Sequence, residues 1–354
     1  MKPINLFSPV SLEPWDFTNC WEKGIGASEQ NHQMLHEEWF AKGIESRSYA
    51  PLYPDKSDLF YNEKGWYRLE QIDPNKPENY LIFRDPTFFD RELHPEGNYL
   101  FIAQDTIYPF TEAQLAKITK YICLSPRHAE LTLATFPQLK DKVYICSNGI
   151  RVETIEKIEK LGIERNPNKL FYASSPDRGL ILTLKNWFRI KERCPEAELH
   201  IAYGFENLIK MGEMLRDWRL PFKNELESLI TQDGIHFIGR VNQNEVLKHW
   251  FSTNVFLYQN TFFETSCVSL MEAMACGAVP VTNKLGALET NTLHGYLYEG
   301  TPDKDQVCRL HQIHKTCNLI LNPSEVEFRD EMMTDARDTF NISKIANHYL
   351  GWMI

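Results

Sequence analysis

Two carboxylates, Glu264 and Glu272, stand eight residues apart in the stretch E-T-S-C-V-S-L-M-E, which continues as A-M-A-C-G-A-V-P-V-T to Thr282. The apolar run Val255–Tyr258 ahead of them predicts a buried strand, and Gln259–Phe263 a short loop. Val268–Ala275 predicts a helix that Gly277 stops, and Ala278–Thr282 the next strand. Glu264 then sits at a strand-to-helix turn, with Glu272 about two turns along the helix at ~1.5 Å per residue. Carboxylates so placed can each accept hydrogen bonds from a hydroxyl pair of a sugar or ribose. The helix start, Thr265, Ser266, Cys267 and Val268, offers N–H groups to a phosphate. The competing reading is two solvated glutamates on an amphipathic helix. The apolar flanks of Glu272 argue against it.

Other stretches carry compatible chemistry. Gly24-Ile25-Gly26-Ala27-Ser28-Glu29 is a Gly-rich turn between a first strand and a helix running to about Lys42, with Ser28 as a candidate N-cap. Backbone amides at Gly26 and Ala27 could approach a phosphate there, or the turn could simply cap the helix. Arg178, in the loop S-S-P-D-R-G-L with Ser175, adds a full charge to a helix N-terminus, which suits a diphosphate. A surface ion pair is the alternative. Asp105 follows the run Tyr99–Ala103 and reads by itself as a strand-end turn residue. Asp303-Lys304-Asp305 spells D-x-D, but in a polar loop where chance explains it.

The elements that must position these residues alternate between strand and helix along the chain, which predicts a doubly wound α/β architecture. Strands are expected at Ile4–Phe7, Glu45–Tyr49, Tyr80–Arg84, Tyr99–Ala103, Tyr121–Leu124, Val143–Cys146, Lys169–Ala173, Val255–Tyr258 and Ala278–Thr282, with Glu198–Gly204 as a strand and turn and Ile235–Val241 as a strand and loop. Residues 53–77 are expected as an irregular insertion or small hairpin, Leu180–Arg193 as one helix, and Thr334–Ile354 as one amphipathic helix. The turn composition of Asn166-Pro167-Asn168 sets domains of 1–165 and 166–333, with 334–354 as a terminal helix.

E-x7-E followed by A-x-A-x-G-x-x-P-V-x-T and then Gly286 resembles the nucleotide-sugar site of glycosyltransferase family 4, retaining enzymes of the GT-B fold. S-S-P-D-R-G-L resembles that family's donor-phosphate loop, and Phe237–Val241 its F-x-G-R-V segment. The resemblance covers Gly24 to about Gly286 and the tail. It implies two Rossmann-like domains facing a central cleft, with the C-terminal helix crossing back to the first. It implies that Arg178 and helix-start amides stabilise the leaving diphosphate, and that Glu264 binds the donor sugar. Glu272 would hold ribose, Gly239, Arg240 and Val241 would lie beside the base, and Ser175, Gly26 and Ala27 would complete the donor contacts. Asp105 would orient the acceptor. The chain departs from the family at Ala27, where a second glycine is usual, at Gln104, where histidine is usual, and at Arg151, where aspartate is usual. The implied activity is metal-independent transfer of a hexose-type sugar, most often from a UDP-sugar, by attack from the leaving-group face. No cofactor is implied, since the nucleotide-sugar is a substrate. A non-catalytic partner of a glycosyltransferase and a GT-B-like nucleotide-sugar epimerase stay open as alternatives.

Composition bounds these readings. With 354 residues, 43% hydrophobic and 24% charged, the chain is an ordinary globular protein of about two domains. A net charge of −10 argues against a broad nucleic-acid surface. Eight cysteines without a C-x-x-C pair predict reduced, buried thiols and a cytoplasmic setting. The N-terminal residues show no leader pattern, and no apolar run approaches the ~18–20 residues of a membrane span. The acceptor stays open among glycan, lipid, protein, small molecule and modified base, as do peripheral membrane contact and oligomeric state.

Overall fold

The computed structural model describes residues 1–353 and divides into two compact units. The first comprises Met1–Cys20, Ile25–Arg151 and Phe340–Ile354, and the second Trp21–Gly24 and Val152–Thr339. The first unit holds a sheet of β1 (Ile4–Phe7), β2 (Ser46–Ala50), β3 (Trp66–Arg68), β4 (Asn79–Phe83), β5 (Asn98–Ile102), β6 (Lys120–Cys123) and β7 (Val143–Ile145). Their order is β3-β2-β1-β4-β5-β6-β7, every pair parallel. Period-2 alternation gives this sheet two different faces. Ile4, Leu6, Leu81, Phe83, Leu100 and Ile102 pack under the helices Ala27–Ala41 and Ile342–Trp352. Tyr80, Ile82, Tyr99, Phe101 and Tyr121 face an aromatic-rich core on the other side. A sheet covered on both faces must be apolar throughout its strands, and β4 is buried at all its positions.

The second unit repeats the plan with β8 (Asn166–Tyr172), β9 (Glu198–Ala202), β10 (Ile235–Gly239), β11 (Thr253–Tyr258), β12 (Val279–Asn283) and β13 (Tyr296–Tyr298). Their order is β10-β9-β8-β11-β12-β13, again all parallel. Winding reverses between β1 and β4 in the first sheet and between β8 and β11 in the second. At such reversals, crossovers leave by opposite faces and open a crevice at the strands' carboxyl ends.

Four expectations change. Residues 53–77 hold a short helix, Asp58–Asn62, and β3, which adds in parallel to β2 as an edge strand and not as a hairpin. The composition there is too polar to signal a strand; pairing with β2 makes it one. The Asn166–Asn168 stretch opens β8, and the units change over at Arg151/Val152. The helix expected over 180–193 breaks at Asn186, whose side chain turns back to the Leu182 carbonyl at 2.8 Å. The tail is two helices, Arg329–Thr339 in the second unit and Ile342–Trp352 in the first. Between them Phe340 is buried, the chain bridges to Ile150, and Asn341 caps the last helix through the Ser343 amide at 2.9 Å. Trp39 Nε1 donates to the Ala346 carbonyl at 3.2 Å and locks that helix to the first unit. Among the described residues no helix is long and apolar enough to cross a membrane.

Candidate functional site

The crevice at the ends of β8 and β11 collects most of the predicted residues. β11 ends at Tyr258, and its hydroxyl donates to Glu264 Oε1 at 2.6 Å. Glu264 is held by its backbone as well: it bridges to Gly286, and the Ala287 amide donates to its carbonyl at 2.7 Å. Gly286 has φ +63°, and a Cβ there would lie 2.2 Å from the Glu264 carbonyl oxygen. Only glycine permits that approach. Burial pushes the Glu264 carboxyl above its ordinary range, against the opposing pull of Arg178 and the Tyr258 hydrogen bond.

Arg178 reaches the same place from the loop after β8. The short turn Pro176–Arg178 ends at Gly179, φ +102°, where a Cβ would strike the Gln259 carbonyl oxygen at 1.9 Å. The close approach presses the β8 loop onto the β11 loop. It brings Arg178 Nη1 to 3.9 Å from Glu264 Oε1 and sets the guanidinium carbon 3.1 Å from the centre of the Phe262 ring. Nη1 is buried and has no hydrogen-bond partner among the described residues. A buried, unbonded guanidinium N–H is costly, and an anionic oxygen is the partner that satisfies it. Ser175 belongs to the same loop: its carbonyl accepts from the Tyr172 hydroxyl at 2.9 Å. Ser269 Oγ ties Ala173 to the neighbouring helix at 2.7 Å.

That helix, Val268–Ala275, begins at Cys267 without a side-chain cap. Thr265, Ser266, Cys267 and Val268 are all buried at its start. The Cys267 thiol is pushed well up by burial and is no nucleophile. Glu272 is also buried, on the helix face toward Gln243, whose Nε2 donates to Glu272 Oε1 at 2.6 Å. Gln243 opens the helix that follows the Gly239-Arg240-Val241 loop, so the predicted base-side and ribose-side residues are neighbours. Arg240 Nη2 donates to the Gly24 carbonyl at 2.7 Å, and Gly24 itself presses on the Val241 carbonyl, where a Cβ would lie at 2.5 Å.

The remaining predicted residues lie in the first unit, at its own reversal. Gly26, not Ser28, is the N-cap of Ala27–Ala41; Ser28 is buried inside the first turn with its hydroxyl unbonded. Ala27 is exposed. Asp105 pairs with Arg84 Nε at 2.9 Å, and Arg84, in the left-handed conformation at φ +65°, stands 3.6 Å from Glu29. Gln104 and Asn148 exchange amide hydrogen bonds at 3.0 and 3.1 Å. Asp305 of the D-x-D caps the helix Gln306–Leu321 through the Val307 and Cys308 amides, which explains the motif without a metal. Sequence reasoning missed Tyr258, Phe262, Gln243 and Arg84. Tyr258 and Phe262 carried a signal in their places just ahead of Glu264; Gln243 and Arg84 carried none.

Residues 153–322 match the family model described as "Glycosyl transferases group 1". No curated protein sequence matches the chain. Among solved structures, sucrose-phosphate synthase from Thermosynechococcus elongatus is similar at TM-score 0.70 and 12% identity, over 99% of this chain and 98% of that one. A glycosyltransferase from Rickettsia africae gives TM-score 0.69 at 12% identity, over 99% and 97%. The Anabaena protein HepE in complex with UDP gives 0.64 at 13%, over 99% of both chains. At these identities the likeness is one of fold, and the fold is GT-B.

Proposed function

We infer that this chain, whose residues 153–322 match a glycosyltransferase group 1 model and whose fold is GT-B, is a glycosyltransferase with the following reaction. The protein transfers a hexose-type sugar, with retention and in the manner of family 4, from a nucleotide-diphospho-sugar to a hydroxyl acceptor. One observation carries the reading: the buried, unbonded Arg178 Nη1 lies 3.9 Å from the buried Glu264 at the β8/β11 reversal. Arg178 and the uncapped start of Val268–Ala275 meet the charge that grows on the leaving diphosphate. Glu264 takes donor-sugar hydroxyls, and Glu272 takes ribose, with Gln243 orienting its carboxylate. The solved relative bound to UDP supports a UDP-sugar as donor. In this reading the cation of Arg178 replaces a metal, and the diphosphate oxygen takes the acceptor's proton. Eight free, buried thiols support a cytoplasmic setting.

The test is nucleotide release from a panel of UDP-, GDP-, ADP- and dTDP-sugars, with and without chelator, beside a Glu272→Ala control. Chelator-resistant release with one donor, lost in the control, is expected. A donor that binds without release points to a non-catalytic partner. A donor converted to an isomeric nucleotide-sugar points to an epimerase. Silence throughout, with no donor shifting the melting temperature, refutes the donor site.

A further inference from the structure

We propose that Glu198, His200 and His236, on one face of β9 and β10, form a binding site for a first-row transition-metal dication of the zinc type. Period 2 puts Glu198 and His200 on the same face of β9, and the parallel register sets His236 of β10 directly opposite His200. The two imidazole centroids are 4.6 Å apart, and Glu198 Oε2 lies 3.2 Å from His200 Nε2. One ligand atom from each of the three residues falls within 4.8 Å of the other two. Donors around a tetrahedral zinc at ~2.0–2.1 Å are about 3.3 Å apart, so side-chain rotation closes the set without moving the strands.

Two imidazoles and one carboxylate suit zinc, copper or nickel and not magnesium or calcium, which prefer all-oxygen shells. Glu198 and His200 are half-buried and His236 is exposed, so the site has a solvent entrance. The Glu198–His200 hydrogen bond explains those two residues but leaves His236 with a ring contact and no hydrogen bond among the described residues. Lys169 on β8, in register with Glu198, is the opposing charge. Its ammonium is already turned to His249 Nδ1 at 3.0 Å and Ser252 Oγ at 2.6 Å. A bound dication would fasten the edge strand β10 to β9, just ahead of the Gly239–Val241 loop.

The untagged, full-length protein is titrated with zinc against a chromophoric chelator and melted with zinc or magnesium. One zinc per chain and a melting rise with zinc alone are expected. His236→Ala, at an exposed edge position, keeps the metal-free melting temperature. It weakens zinc by about 100-fold, the upper end of what loss of a mere supporting group costs a metal site. His294, Glu331 and Asp335 form the other cluster able to hold a cation among the described residues, so Asp335→Asn is the control and leaves the affinity unchanged. Absence of zinc binding overturns the proposal, as does binding that survives His236→Ala or is lost in Asp335→Asn.

Discussion

Replacing Gly286 with alanine perturbs Glu264 through the backbone and leaves the chemistry of every side chain of the site unchanged. The new Cβ would lie 2.2 Å from the Glu264 carbonyl oxygen and 2.8 Å from its amide nitrogen, both far inside contact distance. Two costs follow. Alanine in the left-handed conformation at φ +63° costs about 1–2 kcal/mol. Relief of the clash separates the two strands of chain and breaks the 2.7 Å bond from the Ala287 amide to Glu264, a further ~1–3 kcal/mol for a buried group left unpaired. Gly162 isolates the first cost, because it has φ +64° with nothing within 4 Å of the added Cβ. Urea unfolding of both variants should therefore give equal slopes, with Gly286→Ala less stable than Gly162→Ala by ~1–3 kcal/mol. Displacement of Glu264 from Tyr258 and Arg178 should also lower donor-dependent nucleotide release by about 100-fold, the effect of a ~1 Å misplacement. Gly162→Ala should leave release unchanged. Equal destabilisation of the two variants, with release intact in both, would refute the argument that Gly286 holds Glu264.

Three further outcomes are expected. Arg178→Met should reduce nucleotide release by about 10²–10³-fold, with Arg178→Lys restoring part of it; full activity in the methionine variant would remove Arg178 from the leaving-group site. Burial raises the Glu264 pKa above 4.5, so the folded chain holds that proton more tightly than the unfolded one. Its stability contribution is whole below 4.5 and lost as pH rises through the folded value, so Glu264→Gln should melt like the parent near pH 4 and above it near pH 7. A constant difference between the two melting curves would contradict this. Burial also pushes His36 and His128 from 6.5 down to about 4, so both contribute stability that is whole above 6.5 and lost as pH falls toward 4. The urea midpoint should drop over that window, and His128→Gln should flatten the drop; an unaltered profile would count against it.

The placement of several candidate residues was legible in the sequence. Glu264 and Glu272 were placed at a helix entrance and on a helix face, and both are buried there. Gly277 was read as the stop of its helix because capping is local chemistry, whereas Asp305, read as part of a chance D-x-D in a polar loop, is a helix cap. Gln243 was not legible: it lies twenty-nine residues before Glu272 and meets it only when two helices pack. Arg84 was read as the end of a strand, but its left-handed backbone and its pairing with Asp105 depend on the neighbouring loop. The broken tail shows the opposite failure. Its apolar spacing runs on through Phe340, but the chain bridges to Ile150 there and restarts at the Asn341 cap in the first unit.

By itself the sequence determined the alternation of strand and helix and the helix stop at Gly277. These depend on side-chain period, capping and backbone sterics within a few residues. The order β10-β9-β8-β11-β12-β13 was decided only by the tertiary structure, and with it the place where Arg178 meets Glu264. Parallel neighbours are joined by long crossovers, here eighty residues between β8 and β11, and buried apolar strands are nearly interchangeable in composition. Which of them pair is settled by how the covering helices bury their faces, and no local pattern encodes it.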